Sequence, residues 1–101
     1  MLPAHRVPPH PGEVLLNDFL VPLGITQTTL ARKLRIRITR INEIVNGKRR
    51  ITPETAWLFA GAFGTSPEFW MNLQVTFDLA KAKPERLVGK LRPNGNANVQ
   101  T

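Results

Sequence analysis

Basic residues crowd one short stretch of this 101-residue chain. Residues 27–50 carry eight Lys and Arg side chains and a single acid, Glu43, whereas the rest of the chain is neutral. This stretch therefore holds the entire net charge of +7. A concentrated basic surface attracts polyanions and speeds their association. The charge pattern favours a nucleic-acid-binding surface, and an ordinary solvated face is the alternative that charge alone leaves open.

Side chains suited to catalysis are scarce. Enzymes need a positioned nucleophile, an acid–base pair or a metal cluster. The sequence has no Cys, which excludes disulfides and thiolate zinc sites. The two histidines, His5 and His10, lie in a Pro-rich N-terminal stretch and provide too few ligands for a metal, and the carboxylates Glu43 and Asp78 are far apart. We therefore expect no enzyme activity, no cofactor and no metal.

The apolar spacing predicts an all-α fold of five helices. The first begins near Pro11 and has the i, i+4 pairs Leu15–Phe19 and Leu16–Leu20, and we expect Pro22 and Gly24 to stop it. Thr26 is a suitable N-cap for a second helix over residues 27–34. A third helix is predicted over residues 38–46, where Asn46-Gly47 ends it.

The second and third helices are joined by only about three residues, Arg35 to Arg37. Two short helices connected this tightly form a helix-turn-helix. In this arrangement Ala31 allows the helices to approach closely, and apolar side chains fix their angle: Leu34, Ile36, Ile41 and Ile44. The polar positions left exposed on the third helix are Arg37, Thr39, Arg40, Asn42, Glu43 and Asn46. A helix of this size fits the major groove of DNA, which is about 12 Å wide.

Two repeated start signals predict the last helices. Thr52-Pro53-Glu54 and Ser66-Pro67-Glu68 each combine an N-cap, a first-turn proline and an early acid. The fourth helix should end near Gly64 and the fifth near Pro84. The predicted apolar stripe of the fifth helix is Phe69, Trp70, Leu73, Phe77 and Ala80. At least one of Phe69 and Trp70 is expected in the core, and a binding surface is the alternative for them. Trp57 lies off the apolar stripe of its helix and is a candidate interface residue.

The chain divides into three predicted regions. Residues 1–9 form a flexible N-terminal arm, residues 10–83 the helix-turn-helix domain, and residues 84–101 a C-terminal extension that is partly disordered. No apolar run approaches the roughly 18 residues that span a bilayer, and residues 1–11 lack the apolar core of a secretory signal. We therefore expect a cytoplasmic protein with no membrane partner.

Four segments resemble the HigA-type antitoxins, also described as VapI-like, of the lambda-repressor-like (XRE) helix-turn-helix superfamily. They are HPGEVLLNDFL at 10–20, PLGITQTTLARKL at 22–34, INEIVNGKRRITPETA at 41–56 and GTSPEFWMNLQVTFDLAKA at 64–82. The last is the most specific, since TSPEFWxNLQ directly after a helix-turn-helix is uncommon elsewhere in the superfamily. The resemblance implies a five-helix lambda-repressor-like domain with a short C-terminal extension.

The resemblance also implies roles for individual residues. Gln27 matches a position that contacts phosphate and braces the reading helix, whereas Ile38, Thr39 and Asn42 match base-contacting positions. Asn46 and Lys48 match phosphate-contacting positions, and Arg37 and Arg40 flank the tip of the helix and reach either bases or backbone. The complete predicted DNA-binding set is Gln27, Thr28, Arg37, Ile38, Thr39, Arg40, Asn42, Asn46, Lys48 and Arg49.

Two residues depart from the family pattern. Arg35 stands where the turn usually carries Gly, so we expect a non-Gly residue with positive φ. Ile38 occupies a reading position that is often polar, and its side chain can pack on a thymine methyl group but cannot hydrogen-bond a base edge. Both departures affect sequence readout more than the fold.

The implied partners are operator DNA, a second copy of the chain and a small ribonuclease toxin. HigA-type antitoxins repress their own operator and neutralise a RelE-like toxin that cleaves mRNA. A stand-alone XRE-family repressor without a toxin fits the same residues. A pure interaction protein fits the basic helix-turn-helix less well, and so does an RNA-binding protein, since residues 27–50 contain no aromatic side chain to stack on bases. The fifth helix and its extension to Arg92 are the predicted dimer contact.

Overall fold

The computed structural model describes residues 7–93, which form five helices and no strand. We number them α1 (Pro11–Leu23), α2 (Gln27–Leu34), α3 (Ile38–Val45), α4 (Pro53–Phe63) and α5 (Pro67–Ala82). The predicted all-α fold is confirmed, and each helix begins at its predicted residue. Within the described residues no single helix is long and apolar enough to cross a bilayer. Among these residues, only the pair α1 and α2 together has the length and composition of a membrane-spanning segment, and the two helices are bent by 100° relative to each other.

Local sequence signals set most helix ends. The N-cap side chains of Thr26, Thr52 and Ser66 accept hydrogen bonds from the backbone N–H three residues on, at 3.0, 3.4 and 3.1 Å. Such caps stabilise a helix by about 1 kcal/mol each. Gly24 and Gly64 end α1 and α4 in the left-handed conformation, with φ of 65° and 71°. Glycine adopts this conformation without the steric cost of a Cβ.

The middle of α1 is π-helical between Leu15 and Leu20, which the i, i+4 pattern did not predict. In a π-helix, hydrogen bonds join residues five apart. Leu15 and Leu20 are therefore the fully buried pair, whereas Leu16 and Phe19 are half-buried. The prediction that Pro22 helps to stop the helix was wrong. It lies in a final α-helical turn that begins at Val21, where a proline without an N–H is tolerated, and Gly24 alone ends α1.

Trp70 lies in the core and is fully buried, which agrees with the prediction that at least one of Phe69 and Trp70 is a core residue. Its ring contacts Phe59 at 5.0 Å in an edge-to-face arrangement and Phe19 at 5.1 Å. The indole Nε1 donates a hydrogen bond to Thr65 Oγ1 at 2.7 Å, so its polar atom is satisfied. Trp57 on α4 is 68% exposed, which agrees with its position off the apolar stripe.

The buried face of α5 differs from the predicted stripe at three positions. Phe69, at 37%, and Ala80 are exposed, so the assignment of these two residues to the buried stripe was wrong. Gln74, which the apolar pattern omitted, is only 1% exposed. Its Oε1 accepts a hydrogen bond from the Ile51 N–H at 2.7 Å, and its Nε2 donates to Asp78 Oδ1 at 2.9 Å. Gln74 is buried because it satisfies a buried backbone donor in the segment between α3 and α4.

Residues 83–93 follow α5 without helix or strand and are exposed throughout. Leu87, Val88 and Leu91 lie in this segment. The predicted boundary near residue 83 coincides with the end of α5, whereas the division into three regions stays a prediction. Residues 94–101, for which disorder is expected, lie outside the described residues. So do residues 1–6, which make up most of the predicted flexible arm.

Candidate nucleic-acid interface

The turn between α2 and α3 is closed by Arg35, which has φ of 57° and ψ of 43°. The Arg35 N–H donates to the Arg32 carbonyl at 3.2 Å, and the Ile36 N–H donates to the Ala31 carbonyl at 3.1 Å. These two bonds form a Schellman motif, in which a left-handed residue ends the helix. The predicted positive φ at Arg35 is confirmed. A left-handed conformation costs a non-Gly residue about 1–2 kcal/mol.

Helix α3 packs on the body of the domain through Ile41 and Ile44, which are completely buried. Leu30 and Ala31 supply the matching buried face of α2, as the small residue at position 31 predicted. The opposite side of α3 faces solvent. The three predicted base-contacting residues all lie on this exposed side: Ile38, Thr39 and Asn42. The helix is therefore positioned by its buried face, and the face that carries Ile38, Thr39 and Asn42 is exposed.

A chain of side-chain amides crosses the surface from α2 to the end of α3. Asn42 Nδ2 donates to Gln27 Oε1 at 3.3 Å, and Asn46 Nδ2 donates to Asn42 Oδ1 at 3.1 Å. Gln27 therefore contacts the reading helix, in agreement with the bracing role that the resemblance implied. These two hydrogen bonds orient the Asn42 amide. Bidentate amide contacts of this type are the usual means of reading adenine.

A basic groove of about 470 Å³ lies beside the start of α3. Its walls are formed by four arginines together with Ile36 and Thr39; the arginines are Arg35, Arg37, Arg40 and Arg49. Planar guanidinium groups bind phosphate through paired hydrogen bonds. Thr39 and Arg37 thus connect the exposed face of α3 with a surface suited to the DNA backbone.

Three arginines near α3 take part in ion pairs among residues 7–93. Arg40 Nη2 donates to Glu54 Oε1 at 2.8 Å and to Thr55 Oγ1 at 2.7 Å, which ties α3 to the start of α4. Its side chain is only 24% exposed. Arg50 and Asp78 form the second pair, Nη1 to Oδ2, at 2.9 Å.

The third pair joins Arg49 Nη2 to Glu43 Oε1 at 2.8 Å, and both side chains are about half exposed. An exposed ion pair of this kind contributes only about 0–1 kcal/mol. Arg49 can therefore exchange Glu43 for a phosphate at little cost. Lys48, in the loop after α3, is exposed, and its backbone N–H is fixed by the Glu43 carbonyl at 2.8 Å.

The structure links seven of the ten predicted site residues in two groups, the amide chain of Gln27, Asn42 and Asn46 and the groove residues Arg37, Thr39, Arg40 and Arg49. Eight of the ten are exposed, and the two half-buried ones are Gln27 and Arg40. The pattern missed the anchors behind this surface, Glu54 and Gln74. Glu54 had a weak signal as a first-turn acid, whereas Gln74 had none, because its partner Ile51 lies 23 residues away.

Comparison with known proteins identifies the family. The helix-turn-helix family HTH_3 matches residues 16–70 and so includes all of α2 and α3. The chain belongs to this family. Virulence-associated protein I of Dichelobacter nodosus is 39% identical over 77 residues, which cover 76% of this chain and 71% of that protein. The antitoxin HigA-1 of Vibrio cholerae is 38% identical over 74 residues, which cover 73% of this chain and 70% of that antitoxin.

A solved structure extends the family likeness to DNA complexes. The Pseudomonas aeruginosa antitoxin HigA, determined with the higBA promoter, is 41% identical and superposes with a TM-score of 0.72. The match covers 74% of this chain and 82% of that one. The HigA-type, VapI-like resemblance and the lambda-repressor-like fold are confirmed. The two HigA proteins are antitoxins, one of them determined with promoter DNA, and none of these relatives is named as an enzyme.

Proposed function

We propose that this HigA-type chain is a transcriptional repressor that inserts α3 into the major groove of its own operator. The observation that carries the proposal is the exposed face of α3, on which Thr39 and Asn42 stand beside the basic groove. The Pseudomonas aeruginosa HigA complex with its promoter supports this, because it shares the fold at 41% identity. The buried contacts of Ile41 and Ile44 present that face without any rearrangement.

Base readout is assigned to three residues of α3. Thr39 and Asn42 hydrogen-bond base edges, and Ile38, an exposed apolar side chain, packs on a thymine methyl group. The amide chain that reaches Asn42 from Gln27 supports its assignment, since a preset side chain loses less conformational entropy on binding.

Phosphate contacts are assigned to the residues around α3. They are Gln27, Thr28, Arg37, Arg40, Asn46, Lys48 and Arg49. Arg40 uses Nη2 for both of its internal bonds, so Nη1 and Nε remain for a phosphate. The same side chain also holds α3 against Glu54, and it therefore both positions the helix and contacts the backbone.

The operator-binding unit is a homodimer. One short helix reads too few bases for specificity, and a two-fold dimer reads two half-sites about 34 Å apart. We place the dimer contact on α5 and its extension to Arg92. Exposed apolar side chains along this region support that choice: Val75, Leu79, Leu87, Val88 and Leu91.

The repressor also acts as an antitoxin in a type II toxin–antitoxin system and neutralises a RelE-like, mRNA-cleaving ribonuclease. The names of its relatives support this role, since HigA-1 of Vibrio cholerae is an antitoxin. A stand-alone XRE-family regulator would carry the same DNA-binding surface. The neighbouring gene decides between them: we expect its product to co-purify with this chain and to lose its mRNA cleavage. A neighbour that neither binds the chain nor cleaves RNA would leave the stand-alone repressor.

Fluorescence anisotropy tests the DNA-binding proposal with two duplexes of equal length. One is the DNA immediately upstream of the chain's own gene, and the other is a scrambled version. A base-edge contact contributes about 1–3 kcal/mol of discrimination, so Asn42→Ala should weaken binding to the upstream duplex and leave scrambled DNA nearly unaffected. Lys48→Ala should weaken binding to both duplexes alike.

Two results would contradict the assigned roles. Equal loss of affinity for both duplexes in Asn42→Ala would remove Asn42 from base readout. A wild-type chain that binds both duplexes equally well would remove operator recognition from the proposal altogether.

A further inference from the structure

His10 is a buried histidine at the start of α1, and the DNA-binding surface does not include it. It occupies the N-cap position, where its Nδ1 accepts a hydrogen bond from the Gly12 N–H at 2.9 Å. The side chain is almost fully buried, with the residue 8% exposed. Its ring meets the ring of Phe77 on α5 edge to face, with centroids 5.0 Å apart. Nδ1 must be unprotonated to accept this bond.

The residues that His10 touches hold the end of the reading helix. Gly12 lies directly against the last turn of α3, so closely that a Cβ there would fall 1.7 Å from the Ile44 carbonyl oxygen. Gly47, which follows α3 with φ of 73°, faces the imidazole, since a Cβ on Gly47 would lie 3.8 Å from His10 Cγ. His10 thus joins the start of α1, the end of α3 and the middle of α5.

We propose that His10 is a positioning residue for the reading helix, and that protonation of its Nδ1 releases the operator. Once Nδ1 carries a proton it can only donate, and it then faces the Gly12 N–H, another donor. The α1 start must move away from this contact. Because Gly12 and the ring are packed on Ile44 and Gly47, α3 moves with them. This inference rests on the proposed operator binding.

The charges around His10 determine the direction of the pH effect. Burial is the largest influence on the pKa of His10, and it lowers that pKa. The negative charges of Glu13 on α1 and Asp78 on α5 raise it, whereas the positive charge of Lys81 on α5 lowers it further. Arg50 pairs with Asp78 and so neutralises part of its influence. The folded form therefore binds a proton less readily than the unfolded chain. The hydrogen bond from the Gly12 N–H to His10 Nδ1 is therefore fully formed above the ordinary histidine pKa of about 6.5, and it is lost as pH falls through the lowered pKa of the folded chain.

The expected effect is opposite to that of general electrostatics. Acidification makes the chain more positive, which by itself strengthens binding to DNA. A loss of operator affinity in mild acid would therefore report the His10 contact.

Two variants separate the hydrogen bond from the titration. His10→Asn places an amide oxygen near the position of Nδ1 and is a good N-cap, yet it does not protonate in this range. His10→Ala removes the acceptor. Anisotropy with the upstream duplex, from about pH 8 to about pH 5, should show wild-type affinity falling at least about tenfold. His10→Asn should keep near wild-type affinity throughout, and His10→Ala should bind weakly at every pH.

Amide NMR spectra of the free chain provide a readout that needs no DNA. In the wild type, the Gly12 and Gly47 amide signals should shift with pH at the same midpoint as the His10 ring signals. In His10→Asn, the Gly12 and Gly47 amide signals should not shift over this pH range. If His10→Ala does not fold, the wild type and His10→Asn still decide the matter.

The two proposals fail in distinguishable ways. Two results would overturn the positioning role. One is a loss of operator affinity at low pH that persists in His10→Asn, and the other is a Gly47 amide signal that does not shift as His10 titrates. A wild type without preference for the upstream duplex at pH 8 would overturn operator binding, while the Gly47 signal would still test the contact.

Discussion

Gly12→Ala tests the contact between the first turn of α1 and the last turn of α3. The added Cβ would lie 1.7 Å from the Ile44 carbonyl oxygen and 2.6 Å from its carbonyl carbon. Ordinary van der Waals contact begins at 3.4 Å, so the two backbones must separate by about 1.7 Å before the alanine fits. Both obstructing atoms belong to the backbone, and therefore no side-chain rotation relieves the clash.

Two opposed effects determine the change in stability. Alanine has the better helix propensity, by up to about 1 kcal/mol within a helix. Overpacking costs about 1–3 kcal/mol and occasionally more, and a clash with rigid backbone belongs to the upper end. The steric cost is larger than the gain from helix propensity. We expect Gly12→Ala to lower the free energy of unfolding by about 2 kcal/mol or more, a large share of the 5–15 kcal/mol that is typical of a small domain.

Gly61→Ala is the matched control, since Gly61 is an exposed residue of α4 and a Cβ there meets nothing within 4 Å. Propensity acts alone at this position, so the variant should gain about 0.5–1 kcal/mol. Urea unfolding gives both values, and anisotropy on the upstream duplex reports the position of α3. We expect operator affinity to fall about tenfold or more in Gly12→Ala, about 1.4 kcal/mol, and to stay unchanged in Gly61→Ala. Wild-type stability and affinity in Gly12→Ala would refute the reasoning.

Three further changes test other parts of the structure. Arg35→Gly removes the left-handed strain and should raise the free energy of unfolding by about 0.5–1 kcal/mol in urea, net of the extra chain entropy of glycine; an unchanged value would contradict the strain. Gln74→Leu leaves the buried Ile51 N–H without its acceptor and should cost about 1–3 kcal/mol in the same assay, whereas a neutral result would refute this anchor. Truncation after Ala82 should keep the helical circular dichroism but weaken dimerisation in sedimentation; equal dimerisation would place the interface within residues 10–82.

Helix boundaries were predictable because their signals are local. The Thr-Pro-Glu and Ser-Pro-Glu segments at residues 52 and 66 each place a cap, a proline and an acid within three residues, and the structure begins α4 and α5 there. The π-helical turn in α1 was not predictable, because its hydrogen bonding follows from packing of Leu15 and Leu20 against the other helices. An i, i+4 pattern contains no sign of that change.

The exposed face of the site was also predictable, since the apolar positions Ile41 and Ile44 fix which side of α3 is buried. The contacts that hold it were not. Gly12 meets Ile44 across 32 residues of chain, and nothing in the sequence around position 12 indicates that approach. His10 precedes the first-turn proline, but His is not among the residues preferred at N-caps, so its capping role gave no signal.

The salt dependence of operator binding tests the central claim, that the basic surface around α3 lies on duplex DNA, most directly. Each phosphate contact contributes about −0.9 to the slope of log affinity against log salt concentration. A dimer that makes about six contacts should therefore show a slope near −5 on the upstream duplex. Lys48→Ala should reduce the magnitude of this slope by the contribution of about one phosphate contact per chain. A slope near zero would contradict the claim.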